Sequence, residues 1–291
     1  MKLVTFTHGD RTRIGAVVGE LVVDLSAAAP ELPTDMVDFL AAGDAAMARA
    51  RDAQTDADHA LALNDVELLA PVPRPGKILA IGLNYRDHIE ETGAKPPKTQ
   101  IWFNKQTTAT NAPYGSIAMP SVSSFLDYEG ELVFVIGKRG KHVPRERAHE
   151  IIAGYCCGND VSVRDWQRAA PTMQIGKSFD THAPFGPWIV TSDEIGDPHT
   201  LGLRTLVNGD TRQDSNTEHL VFDCFDQVAH LTQAFTLEPG DVIYTGTSSG
   251  VALAMKPPAW LQVGDVVRIE IDRIGHIEHT IADEDSATVV G

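Results

Sequence analysis

The sequence predicts a mainly β protein with some α (α+β): a small β-rich N-terminal unit followed by a larger β-rich domain. Three observations predict it. Short apolar runs recur along the chain between Gly, Asp and Pro turns. The few helical patterns do not alternate with those runs as βαβ units require. Pro71, Pro73, Pro75 and Gly76 cluster in one stretch, the best boundary signal in the chain. With 291 residues, 43% hydrophobic and 22% charged, the chain can build a core for one large domain or a large and a small one.

Residues 1–72 form the small unit. Residues 1–6, 12–18 and 21–25 read as three short strands with Gly/Asp turns between them. Residues 36–53 are rich in Ala and read as helical. Residues 73–291 form the large domain. Its first strand is the apolar run 77–82, and residues 87–91 look like the start of a short helix. Residues 132–136 read as a buried strand, and 184–191, 203–207, 241–245 and 266–271 add further strands. The clearest helix is 220–235, apolar at Val221, Phe225, Val228, Leu231 and Phe235. Gly240-Asp241 and Gly264-Asp265 each turn into a strand, which is common turn chemistry and not a repeat. The polar tail, 283–291, is expected to be loose.

The formal net charge is −16. That opposes binding to a nucleic-acid backbone, which needs a basic face, and to an anionic membrane surface. It leaves room for an anionic substrate, because a metal or a few Arg and Lys can make one pocket locally positive. Cys156, Cys157 and Cys224 show neither metal spacing nor a disulfide framework, and the first two lie in an apolar run. The start has no basic region followed by an apolar one, and no run reaches transmembrane length. A reducing cytoplasm is the expected compartment.

Glu129 and Glu131 stand one residue apart at the mouth of the 132–136 strand. A strand has period two, so both point to the same side. Two such carboxylates repel each other and are costly to desolvate. A hard divalent cation would relieve both, as Mg2+, Mn2+ or Ca2+, with Asp160 of Gly158-Asn159-Asp160 as third ligand. A solvated strand start is the plain alternative.

Other segments carry weaker signals. If Asp87 opens a helix, His88 and Glu91 are i and i+3 and share a face. A carboxylate on one imidazole nitrogen leaves the other free to take a proton from water. A capping segment with an exposed His fits the same spacing. Lys105 and Lys177 each sit near an aromatic and can balance charge or stabilise an oxyanion, or be ordinary surface lysines. Arg164 and Gln167 suit a substrate carboxylate, although Arg164 can equally pair with Asp165 or Glu131. Residues 244–250 end a strand in small residues whose N–H groups and hydroxyls, Thr247 among them, can hold an anion. A plain β-turn explains them too.

Taken in order, these segments are not generic. Asn84-Tyr85-x-x-His88-x-x-Glu91, Phe103-x-Lys105, Asp127-Tyr128-Glu129-x-Glu131, Asn159-Asp160-x-x-x-Arg164-Asp165, Gly176-Lys177-Ser178-Phe179 and Thr245-Gly246-Thr247-x-x-Gly250-Val251 together resemble the fumarylacetoacetate hydrolase family. The likeness runs from about residue 77 to 284, and the N-terminal unit suits the longer bacterial members. The resemblance implies a mixed β-sandwich roll, usually in homodimers. It implies Mg2+, or Mn2+ or Ca2+, held by Glu129, Glu131 and Asp160. It implies a His88/Glu91 dyad on a segment that orders over the site, Lys177 beside the metal, and Thr247 near the substrate carboxylate. Lys105, Arg164 and Gln167 become further substrate contacts. Gln106 and Ser248 stand where many relatives carry Pro, which bears on pocket shape more than on metal binding.

The activity expected on that basis is metal-dependent hydrolysis of a C–C bond in a 2,4-dioxo acid, an acylpyruvate. The products are a 2-oxo acid such as pyruvate and a carboxylic acid. His88 would activate water and Lys177 would stabilise the oxyanion. The same metal site can instead decarboxylate an oxaloacetate-type β-keto acid, or isomerise or hydrate a 2-oxo diacid. A non-catalytic β protein with a structural cation is the alternative of another class.

Overall fold

The structure, a computed structural model, describes residues 1–285 and 287–290. Of the tail expected to be loose, Ser286 and Gly291 lie outside the described residues.

The main sheet has twelve strands. Its continuous path runs Ala60–Ala62, Leu21–Asp24, Arg11–Val18, Lys2–His8, Ala183–Thr191, Ile152–Asn159, Gly130–Ile136, Val242–Thr247, Ile78–Gly82, Ile101–Lys105. Val242–Thr247 and Ile78–Gly82 pair in parallel, and the other neighbours on this path are antiparallel. A second sheet of five strands runs Asp210–Asn216, Gly202–Val207, Val266–Ile271, Gly275–Asp283, Ile117–Met119.

Gly130–Ile136 is buried along its whole length because the main sheet is covered on both faces. Leu132, Phe134 and Ile136 pack with Leu203, Ile269, Ile271 and Ile277 of the second sheet. Val133 and Val135 face the opposite way, into a core with Met36, Phe39, Leu40 and Ala50 of the N-terminal helices. Val266–Ile271 buries every second residue, as a sheet with one covered face should.

The N-terminal strands join the main sheet. Lys2 pairs with Val190 and Leu3 with Ile189, so residues before and after the Pro-rich crossing share one sheet and one core. The helical stretch near residues 36–53 is two helices, Met36–Ala41 and Gly43–Ala53, because Gly43 takes a left-handed φ of 75° at their junction. The helix expected over 220–235 is Cys224–Ala234. Asp223 sets its start, accepting from the N–H groups of Phe225 and Asp226 at 2.9 Å each in a capping box. The local cap outweighs the apolar spacing that Val221 extends.

Candidate active site

Antiparallel pairing builds the acidic cluster. Gly130 sits opposite Asn159, which places Glu129 and Glu131 on either side of that position and Asp160 just beyond it. The Asn159 side chain accepts from the Glu129 N–H at 3.0 Å, and the Asp160 N–H donates to the Glu129 carbonyl at 2.9 Å. Oxygens of Glu129, Glu131 and Asp160 lie within 4.8 Å of one another, and all three side chains are buried.

Three cations face this cluster. Lys177 Nζ donates to Glu129 and to Asp160 at 2.8 Å each. Lys105 donates to Asp160 and, at 3.2 Å, to the Val161 carbonyl. Arg164 pairs with Asp127 and Glu129 at 2.7 Å each. Burial pushes Glu129 upward, but Lys177 and Arg164 outweigh it and hold the carboxyl at about 2. Glu131 meets no cation at ion-pair distance among the described residues. It accepts from the Gly246 N–H at 2.7 Å. Burial, then repulsion from Asp160 and Glu129, push it well above the usual carboxylate range. Burial pulls Lys177 down, yet Asp160 and Glu129 raise it overall, whereas burial wins at Lys105 and lowers it.

This donor set fits a hard divalent cation. Asp127, Glu129, Glu131 and Asp160 set four negative charges against the three positive ones of Lys105, Lys177 and Arg164. With all four ionised, as ion binding requires, one negative charge is left over, and Glu131 is the carboxylate that no cation touches. A divalent ion on three carboxylate oxygens would turn the local charge from −1 to +1, which suits an anionic substrate.

A cavity of about 520 Å³ opens on the cluster, within the usual range for small-molecule sites. Glu129, Arg164, Lys177, Thr247 and His88 line it, with apolar walls from Ile81, Ile101, Phe103, Met173 and Leu253. His88 lies on the helix Arg86–Thr92, which Gly93 ends in a left-handed conformation (φ 65°). His88 Nδ1 is 3.2 Å from Glu91, whose other oxygen accepts from the Gly250 N–H at 2.8 Å. Asp87 accepts from the His88 N–H and from Ser215 Oγ at 2.7 Å each, tying the helix start to the second sheet.

The structure gathers His88, Gln167, Thr247, Lys177 and Arg164 on one cavity. Arg164 points inward to Asp127 and Glu129, and Gln167 accepts from it at 2.9 Å. Lys105 is not among the cavity-lining residues; its buried amine is engaged by the Asp160 carboxylate and the Val161 carbonyl. Three further contributors have a role here that the sequence did not assign them. Asp127 holds Arg164 and accepts from the N–H groups of Ala252 and Leu253 at 2.8 and 3.1 Å. Gln213 accepts from the Gly130 N–H at 2.9 Å and donates to Thr247 Oγ1 at 2.7 Å. Gly130 is needed because a Cβ there would meet Thr205 Oγ1 at 2.2 Å. Asp127 and Gly130 both lie within the Asp127-Tyr128-Glu129-x-Glu131 motif, whereas Gln213 lies outside every motif quoted above.

The family described as fumarylacetoacetate (FAA) hydrolase C-terminal matches residues 77–282. The chain belongs to this family. The mitochondrial oxaloacetate tautomerase fahd2 of Xenopus laevis is 44% identical over 287 residues, covering 97% of this chain and 90% of that one. The solved fumarylacetoacetate hydrolase of Exiguobacterium antarcticum is 35% identical and superposes with a TM-score of 0.87 over 98% of this chain and 100% of its own. The maleylpyruvate hydrolase of Sphingobium sp. SYK-6, solved with manganese(II) and pyruvate, is 31% identical with a TM-score of 0.81 over the same shares. The mixed β fold with its N-terminal strands is therefore that of the family, a family of enzymes. No helix among the described residues is long and apolar enough to cross a membrane.

Proposed function

We propose that this protein is a metal-dependent tautomerase that interconverts the enol and keto forms of a 2-oxo dicarboxylate of the oxaloacetate type. The observation that carries the reading is the 44% identity with a protein of that name over nearly the whole of both chains, including the N-terminal strands outside the family match. Isomerisation of a 2-oxo diacid is one of the reactions this kind of site admits, and it needs no second substrate.

Glu129, Glu131 and Asp160 would hold the cation, with Mg2+ favoured and Mn2+ or Ca2+ possible alternatives; bound there, it supplies Lewis-acid polarisation of the 2-oxo group. Enol and keto differ in one proton, on the 2-oxygen or on carbon 3. Glu91 beside Nδ1 keeps that nitrogen protonated and leaves His88 Nε2 to carry the proton at carbon 3. Two of the three Lys177 protons are engaged by Glu129 and Asp160, and the third is free for the developing oxygen charge. The apolar walls limit water near carbon 3.

Hydrolysis of an acylpyruvate is the second reading. The His88–Glu91 pair and the likeness to maleylpyruvate hydrolase favour it, because the same imidazole can activate water. One experiment separates the two. Oxaloacetate dissolved as its enol is followed by ultraviolet absorbance with Mg2+, with Mn2+ and with EDTA, while pyruvate release is followed from oxaloacetate and from acylpyruvates. Metal-dependent loss of enol without pyruvate supports the tautomerase. Pyruvate from an acylpyruvate with no effect on the enol replaces it by the hydrolase. The proposal also includes a homodimer with a small-molecule partner only, neither nucleic acid nor membrane, working in the cytoplasm. The Xenopus relative is itself named mitochondrial.

A further inference from the structure

We propose that Arg168 receives the distal carboxylate of the substrate and so selects 2-oxo dicarboxylates over 2-oxo monocarboxylates. The proposal rests on the reading of the site as one for a 2-oxo diacid and names the residue that recognises the second acid group.

Arg164 and Arg168 lie one turn apart on the helix Arg164–Ala169, so they share a face, about 6 Å apart along its axis. Their circumstances differ. Arg164 is buried at the floor of the cavity and neutralised by Asp127 and Glu129. Arg168 is exposed and lines the same cavity. Among the described residues it forms no ion pair and no side-chain hydrogen bond. The acid nearest in sequence, Asp165, is engaged by Ser123 Oγ at 2.7 Å and by the Trp166 N–H at 3.0 Å.

Of the lining cations, Lys177 and Arg164 are both held by Glu129. Arg168 is the lining guanidinium left without a counter-ion, on a chain of net charge −16. The rest of the lining includes the apolar side chains of Ile81, Ile101, Phe103 and Met173. A ligand whose 2-oxo acid end meets the acidic cluster therefore finds apolar lining and one unpaired, exposed guanidinium for a second acid group. The carboxyl carbons of a four-carbon diacid are three C–C bonds apart, about 4 Å end to end, and the long side chain of Arg168 supplies the remaining reach. A bidentate guanidinium–carboxylate pair suits that end.

The test compares the intact protein with Arg168→Gln and Arg168→Lys in the presence of Mn2+. Calorimetry gives the affinities of 2-oxoglutarate, a diacid, and 2-oxobutyrate, a monoacid. Arg168→Gln is expected to weaken the diacid about tenfold, the size of one charge-assisted contact, and to leave the monoacid unchanged. Arg168→Lys should recover part of the loss, and added salt should reduce the diacid preference of the unaltered protein. Equal weakening of both ligands, or of neither, overturns the proposal and leaves Arg168 a solvated surface residue. Enol decay measured on the unaltered protein is a separate arm. Its absence would sink the tautomerase reading, while the diacid-to-monoacid ratio still decides the role of Arg168.

Discussion

Gly130→Ala tests how the second sheet shapes the acidic site. An added Cβ would lie 2.2 Å from Thr205 Oγ1 and 3.2 Å from Gln213 Oε1, both fully buried. Neither neighbour is a loose chain end: Thr205 sits in the strand Gly202–Val207, and Gln213 bonds to Thr247 and to the Gly130 N–H. The strand must move, so the substitution should cost about 1–3 kcal/mol, as overpacking of a tight core does. The same shift would spread Glu129 from Glu131 and weaken divalent-ion binding. Thr205→Ala removes the offending oxygen, a buried hydroxyl without a partner, so little hydrogen bonding is lost with it. Urea unfolding of the four proteins of this cycle, with Mn2+ titration of each, measures the coupling. The double variant should recover most of the stability and metal affinity that Gly130→Ala loses. Additive losses in the double variant, or a neutral Gly130→Ala, would refute the argument that close approach of the sheets dictates this glycine.

Three further outcomes are expected. His88→Ala should lower kcat by about two to four orders of magnitude, the usual worth of a positioned acid–base group, while the thermal shift on adding Mn2+ stays. Glu131→Gln should raise stability in EDTA, because it replaces a buried carboxyl that no cation touches and whose ionisation burial and its acidic neighbours oppose, and should abolish the stabilisation by Mn2+; calorimetric melting with and without the ion reads both. Burial holds His182 and His279 at about 4, so both are neutral when folded, and unfolding lets them bind protons near the ordinary value of 6.5. Stability should therefore fall as pH drops from 6.5 to 4, by about 3 kcal/mol for each ring, and level off below. Urea unfolding across that range should show the slope, and His182→Gln with His279→Gln should flatten it.

Local patterns determined much of this protein. Period-two alternation and the electrostatics of paired carboxylates brought Glu129, Glu131 and Asp160 together on paper, and the strand Gly130–Ile136 is where its apolar run lies. His88 and Glu91 meet because three residues nearly complete a helical turn. These are short-range rules that a chain carries in its own spacing. The partners of the cluster are long-range and follow no spacing. Arg164 chose Asp127 and Glu129 over Asp165 and Glu131, because folding buries it behind the strand while Asp165 faces solvent. Gln213 and Thr205 reach Gly130 from another sheet. The first strands join the main sheet through Lys2–Val190 pairing, which spans almost two hundred residues of sequence. Whether a lysine ends under a carboxylate, as Lys105 does, or an arginine at a cavity mouth, as Arg168 does, depends on which surfaces meet, and only the packed sheets decide that.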